Sequence, residues 1–361
     1  MISYGAGPQP DEVEITVFGP GFGEAIAVHL GEERWMLIDS CIDPNSKKPA
    51  GETYLSAIGV SPDRVKSLVA SHWHDDHVRG LARLAEIYQA AELNIASTFN
   101  DAEARAFLAA YGGHAAAAKL SRGTTELFQA LRGRERSFYI HHRANVFEQL
   151  LPNSGRRVRA VALSPMQAAF AAAVARMASF VPRVMDQPID HVPELPPNLE
   201  AVVIHIDWGD DAVLLGSDLE DHRQFGWTAV LADFWSSSRQ PSSAYKVAHH
   251  GSKSGDNPEI WTRLLKEQPV ACLTPFNLGS QRLPGEIDKA RILGRTPHAY
   301  ISSAASNKPA MASDRLRRLS QMCTELRPRN PGFGAVRLRK PFGGATWGVE
   351  LFGSARELRG A

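Results

Sequence analysis

Short apolar runs separated by glycine-containing turns organise both ends of this chain. Residues 15–17, 25–30 and 35–39 read as successive strands, with turns at Gly19-Pro20-Gly21 and Gly31-Glu32-Glu33. Residues 201–207 and 212–218 repeat that form across a Gly209-Asp210-Asp211 turn, and each hairpin closes on an acid, Asp39 in the first case and Asp218 in the second. The repetition predicts two related halves. Residues 65–71 form a further, largely apolar strand, after which 81–87 change to helical spacing, with Gly80 placed to turn the chain between them. Helical patterns also cover 101–110, 124–131, 166–181, 258–265 and 314–326, while 157–163, 270–273, 335–338 and 347–351 read as strands. Residues 182–197 hold five prolines and predict no regular element.

The densest chemistry follows the 65–71 strand. His72, His74, Asp76 and His77 place four potential metal ligands within six residues. Neutral imidazole and carboxylate are good ligands for zinc and similar divalent ions, and a catalytic site leaves a position open for water or substrate. The alternation cannot aim all four side chains the same way, so His72 and His74 can face one ion while Asp76 and His77 face a second. Two ions about 3.5–4 Å apart can hold a hydroxide nucleophile and stabilise a leaving oxygen. Asp75, the other acid of the run, reads either as a proton relay or as a helix cap. Two later segments have the same form, an apolar strand delivering polar groups at its end: 212–218, ending in Asp218, and 245–252, carrying His249 and His250. They are the candidates to complete the site.

In this order the motifs resemble the metallo-β-lactamase superfamily of metal-dependent hydrolases, over residues 13–276. The stretch Val247-Ala248-His249-His250-Gly251-Ser252-Lys253 is most similar to the branch of competence-channel hydrolase domains and phosphorylcholine esterases, which act on phosphodiesters. The resemblance implies an α/β fold, a four-layer αββα sandwich of two mixed sheets. It also implies two divalent ions, zinc or manganese: His72 and His74 on the first, Asp76, His77 and His250 on the second, and Asp218 bridging them together with the attacking hydroxide. His249 is then expected to face the substrate phosphate, as oxyanion stabiliser or proton donor, with Asp76 and Asp75 the other candidate catalytic groups. Asp39 becomes an outer residue that orients a ligand. Ser217, Ser252 and Lys253 lie beside ligands, and Ser164 stands where many members supply a further histidine. His114, His141 and His142 are possible substitutes for that histidine, and its absence favours the phosphodiesterase branch.

The same resemblance frames the organisation and the competing functions. Residues 1–361 are expected to form one metallo-hydrolase domain, with 101–199 a helical and proline-rich insertion between the halves and 277–361 completing the second half. A phosphodiesterase acting on a nucleic acid, a cyclic nucleotide or a phosphorylated headgroup is the favoured reading. The alternatives are a lactone, amide or thioester hydrolase of the same fold, and a non-catalytic metal-binding regulatory protein.

Composition narrows little beyond this. A net charge of +1 offers no global attraction to nucleic acid, although arginines cluster at 132–136, 156–159 and 315–318. Cys41, Cys272 and Cys323 are too few and too scattered for a disulfide framework, and Cys41 reads as a small buried thiol. No apolar run approaches the roughly 18 residues of a membrane span, and the N-terminus lacks the pattern of a secretory signal, so the expectation is a cytoplasmic protein with no membrane association.

Overall fold

Alternation along the first strands decides which face of each is buried between the sheets. In β1 (Glu12–Gly19), Val13, Ile15 and Val17 point to one apolar layer while Phe18 packs in another, and in β2 (Ala25–Gly31), Ile26, Val28 and Leu30 join the first set while Ala25 and Ala27 join the second. The chain continues through β3 (Arg34–Ile38), β4 (Val65–Ala70), β5 (Glu92–Ala96) and β6 (Ser137–Ile140). A second set follows, with β7 (Asn145–Leu150), β8 (Arg157–Ala162), β9 (Ile204–Asp207), β10 (Ala212–Leu215), β11 (Ser242–Lys246) and β12 (Leu265–Leu273). A small hairpin, β13 (Phe276–Leu278) with β14 (Gln281–Leu283), precedes β15 (Ala299–Ile301), β16 (Gly334–Pro341), β17 (Gly348–Gly353) and β18 (Arg356–Glu357). The structure is a computed structural model that describes residues 2–112, 122–132, 134, 137–181, 197–278, 280–303 and 332–359.

Two eight-stranded mixed sheets result, ordered β17-β16-β1-β2-β3-β4-β5-β6 and β18-β15-β12-β11-β10-β9-β8-β7. Their internal pattern is the same. β1, β2 and β3 pair antiparallel and β3 to β6 parallel. In the second sheet β8, β9 and β10 pair antiparallel and β10, β11, β12 and β15 parallel. The duplicated hairpins of the sequence are therefore duplicated half-sheets, and β3 and β10, which deliver Asp39 and Asp218, are topological equivalents.

One apolar layer lies between the sheets and draws on both: Val28, Met36 and Val69 from the first meet Ile204, Val213 and Ala244 from the second. The other two layers lie outside, one between the first sheet and helices such as Leu81–Ile87, the other between the second sheet and the helix Trp227–Ala232. This is the expected αββα sandwich.

The local differences from the sequence reading are instructive. Residues 101–199 contribute β6, β7 and β8 to the sheets as well as the helix Gln167–Phe180. The helix read over 258–265 is a single wide turn at Ile260–Leu264, because β12 begins at Leu265, five residues earlier than the apolar run at 270 suggested. Gly80 does turn the chain, with φ of 86°. The helix read at 314–326 and most of the proline-rich segment lie outside the described residues. No helix among the described residues is long and apolar enough to cross a membrane.

Candidate metal centre

Parallel pairing places the C-terminal ends of β3, β4, β10 and β11 at one edge of the sandwich, where an open α/β sheet usually carries its chemistry. Asp39 follows β3, the His72 to His77 run follows β4, Asp218 follows β10 and the histidine pair follows β11. The backbone there is held in the left-handed region at Asp39 (φ 59°), Ser217 (46°), His249 (47°) and His250 (53°). Such conformations persist only where surrounding contacts over-determine them, and they concentrate at functional sites.

Asp76, His77, Asp218 and His250 converge, each offering a ligand atom within 4.8 Å of the others and each buried. His250 Nε2 lies 3.1 Å from Asp218 Oδ2 and 3.3 Å from Asp76 Oδ2, and His77 Nε2 lies 3.3 Å from Asp218 Oδ2. His72 and His74 form the adjoining pair, with Nε2 of one 3.2 Å from Nδ1 of the other, and the His72 ring is 4.2 Å from that of His77.

The residues around these groups aim them. Asp39 Oδ2 contacts His77 Nδ1 at 2.8 Å and accepts the Ser71 hydroxyl at 2.7 Å, while Oδ1 takes the Ser71 N–H at 2.7 Å. An imidazole that donates through Nδ1 turns a lone pair on Nε2 towards the cluster, the usual way a second group orients a ligating histidine. Ser71 Oγ also stands 3.0 Å from His72 Nδ1.

Burial and charge act together on the ionisation of the site. Burial pushes the imidazoles of His72 and His74 down into the neutral form that ligates cations. At His77 and His250 burial works in the same sense, but Asp218 and Asp76 outweigh it and lift both, His250 to about 9. Conversely, burial would raise Asp76 and Asp218, and the neighbouring imidazoles hold both below the usual carboxylate range. Two carboxylates in a dry pocket thus demand positive charge. Asp76 Oδ2, His77 Nε2, Asp218 Oδ1 and His250 Nε2 are buried and make no hydrogen bond among the described residues, which fits donors reserved for a metal. The residues present match the nitrogen and oxygen donor set of a divalent cation.

The other expected site residues are placed as follows. His249 turns away from the four-residue cluster: its Nε2 is 3.3 Å from the Asn198 amide and its Nδ1 2.9 Å from Ser254 Oγ and 3.1 Å from Ser252 Oγ. Ser217 is buried, and its carbonyl accepts the His249 N–H. Lys253 is exposed. Asp75 accepts the Gly123 N–H at 2.6 Å at the start of the helix Arg122–Leu131 and lies 3.7 Å from Arg79, so it anchors a neighbouring helix. Ser164 gives its hydroxyl to the Ala201 carbonyl and accepts the Val203 N–H, which spends it on joining β8 to the segment before β9. His142 is committed to Asp233 and Ser236, His141 is exposed, and His114 lies outside the described residues.

Residue types alone did not single out Glu24, Lys246, Thr274, Asn198 or Glu220, all of which stand behind or beside the cluster. One of them carried a signal: Lys246 is a charged residue between Tyr245 and the apolar Val247-Ala248, at the buried end of β11. Several arginines of these clusters have internal partners. Arg134 caps the Ala85 carbonyl, and Arg156, Arg157 and Arg159 pair with Asp210, Glu148 and Asp207. A cavity of about 1000 Å³ lies against Arg83, Glu86, Glu126 and Arg134, and its described lining includes none of the cluster residues.

Residues 18–142, which hold Asp39 and the whole His72 to His77 run, match the family model of the metallo-beta-lactamase superfamily. The chain has the metallo-beta-lactamase fold. Solved structures similar to it include the metallo-beta-lactamase fold protein YhfI from Bacillus subtilis, 12% identical, covering 65% of this chain and 70% of that one with a TM-score of 0.34. A motif mutant of a metallo-beta-lactamase from Cronobacter sakazakii is 14% identical, covering 64% of this chain and 75% of that one with a TM-score of 0.35. A mutant of the CmlA beta-hydroxylase is 14% identical and covers 93% of this chain but 55% of that one, with a TM-score of 0.39. No curated protein matches the chain. A hydrolase-type function and divalent metal binding are the general properties that go with the metallo-beta-lactamase superfamily and the ligand groups found here.

Proposed function

We propose that the protein is a metal-dependent phosphodiesterase. The observation that carries the reading is the split within the histidine pair: His250 faces Asp76 and Asp218 at 3.3 and 3.1 Å, while His249 turns its ring towards Asn198, Ser252 and Ser254. This split supports a ligand role for one histidine and leaves the other outside the cluster as the candidate to meet substrate, as in the branch that the His-His-Gly-Ser stretch resembles. His72 and His74 would hold one ion, Asp76, His77 and His250 the other, and Asp218 would serve both, with zinc or manganese suited to these donors. When bound, the cations supply Lewis acidity and a water ionised near neutral pH.

The chain's own residues supply the rest. Asp39 and Ser71 orient His77, the carboxylates of Asp76 and Asp218 fix the donor geometry, and His249 takes up charge that develops on the phosphoryl or leaving oxygen. The reading is tested by loading metal-depleted protein with zinc or manganese and offering bis-p-nitrophenyl phosphate, a p-nitrophenyl ester and a chromogenic β-lactam. Preferential turnover of the phosphodiester is expected. Preference for the ester or the lactam, or no hydrolysis with either ion, overturns it.

A further inference from the structure

We infer that Glu24 is a positioning residue that ties three ligand segments into one metal cluster, acting through Lys246 and Thr274. The inference rests on the metal reading above and concerns a residue outside the ligand set. Glu24 is 0% exposed and stands just before β2, in the first sheet, whereas Lys246 ends β11 and Thr274 follows β12, both in the second. Its contacts reach all three loops. The Glu24 N–H donates to the Asp76 carbonyl at 2.8 Å. Its Oε2 receives the Lys246 ammonium at 2.7 Å and the Thr274 hydroxyl at 2.5 Å.

Each arm ends on a ligand. Thr274 has one hydroxyl proton and gives it to Glu24, so towards His250 Nδ1, 3.0 Å away, its oxygen can only accept. The Thr274 carbonyl, 3.2 Å from the same nitrogen, makes the same demand. His250 therefore keeps a proton on Nδ1, which leaves Nε2, the nitrogen facing Asp76 and Asp218, as the one that meets a cation. On the other arm, Lys246 Nζ donates to the Ser217 carbonyl at 3.1 Å and stands 3.8 Å from Asp218 Oδ1, which holds the strained 216–218 turn and its carboxylate in place.

Stability alone gives no reason for this arrangement. An ion pair this deeply buried loses about as much in desolvation as it gains in attraction, and apolar residues of the same volume often serve as well. What it supplies is geometry. The approach is prepared by Gly23, whose φ of 124° favours glycine and where a Cβ would lie 2.7 Å from the Cys41 side chain. With Gly23 in that conformation, the chain can pass close to Cys41 and present Glu24 to both sheets.

The test uses full-length protein, zinc alone as the probe, and chelator competition to measure affinity, with the melting temperature of metal-depleted protein as a second readout. Thr274→Val removes the hydroxyl that joins Glu24 to His250 without burying a charge, leaving only the main-chain carbonyl on Nδ1, and the double variant Glu24→Gln/Lys246→Met removes the other arm while keeping the pocket neutral. Each should weaken zinc binding by roughly 10- to 100-fold. Lys340→Met, which breaks a buried pair with Asp211 at a distance from the cluster, should leave affinity unchanged even if it lowers the melting temperature. Zinc affinity that follows melting temperature across all variants, or that stays at the natural value in Thr274→Val and the double variant, overturns the inference. Absence of zinc binding by the natural protein would sink the metal reading itself, and with it this inference.

Discussion

His77 Nδ1 and Asp39 Oδ2 meet at 2.8 Å with both side chains buried, and the same carboxylate also holds the Ser71 N–H and hydroxyl. Asp39 thus fixes the direction of one proposed ligand and the start of the loop that also carries His72, His74 and Asp76. Replacing it by Asn leaves one oxygen to do the work of two and puts an amide donor against groups that themselves donate. Asp39→Asn should weaken zinc binding by roughly 10- to 100-fold. It should also cost about 1–3 kcal/mol of stability in the metal-depleted protein. Chelator competition and urea unfolding measure the two effects separately. Unchanged zinc affinity would remove Asp39 from the orienting role.

The two adjacent histidines predict opposite phenotypes. His250→Ala deletes a group that lies against both cluster carboxylates, so zinc content should fall. His249→Ala deletes a ring whose partners are Asn198, Ser252 and Ser254, so zinc content should hold while turnover drops by roughly 10²- to 10⁴-fold. Metal analysis beside a phosphodiester assay decides the matter, and exchange of the two phenotypes would reverse the assignment.

Asp218 Oδ2 lies 3.3 Å from His77 Nε2 and 3.1 Å from His250 Nε2, nearer to both than Asp76 Oδ2 at 3.7 and 3.3 Å. Asp218→Ala should abolish turnover, a loss of several kcal/mol of transition-state stabilisation equivalent to about 10³-fold or more. The metal-depleted variant should nonetheless keep its fold, because Asp76 remains to face both His77 and His250. Circular dichroism with the assay tests both halves of the statement; full activity rules out the shared-carboxylate role.

Which parts of this molecule can be read from the chain depends on how far each residue's partner lies. β1 to β4, β9 and β10 announce themselves through apolar faces and, for most of them, glycine turns, whereas β11 opens on Ser242-Ser243, before the run read from 245, and ends at Lys246. β5 is less legible: its Asn94 is buried, and only the amide contact to Ser67 on β4 at 2.9 Å makes that tolerable. β7 exposes Asn145, Glu148 and Leu150, so neither an apolar run nor a clean alternation marks it. In the site, ligands cluster in sequence and are conspicuous, whereas Glu24 and Lys246 come from different halves and acquire meaning only once the sheets face each other. Asp75 illustrates the converse. Its place in the ligand run suggested chemistry, but the partner that claims it, the Gly123 N–H, arrives from a distant helix.

Glu200 gives the protein a pH dependence that can be assigned to one residue. Its carboxyl is buried and its Oε2 takes the Thr98 hydroxyl at 2.5 Å; burial raises it to about 7, with the Thr98 contact and Arg176 opposing too weakly to restore the ordinary 4.5. Below about 4.5 the native and unfolded states both hold the proton, and this group's contribution to stability is fully present. Between about 4.5 and about 7 the unfolded chain has lost the proton and the native state has kept it, so stability falls as pH rises. Above about 7 both states are ionised and the loss is complete, at roughly 3 kcal/mol by 1.36 kcal/mol for each pH unit. Glutamine resembles the protonated acid and still accepts from Thr98. Glu200→Gln should therefore gain stability relative to the natural protein as pH rises from 4.5 to 7.5, by about 3 kcal/mol in urea unfolding. Other titrating groups are common to both proteins and cancel in the difference. Parallel stability curves across that range would show that Glu200 is ionised in the native state throughout.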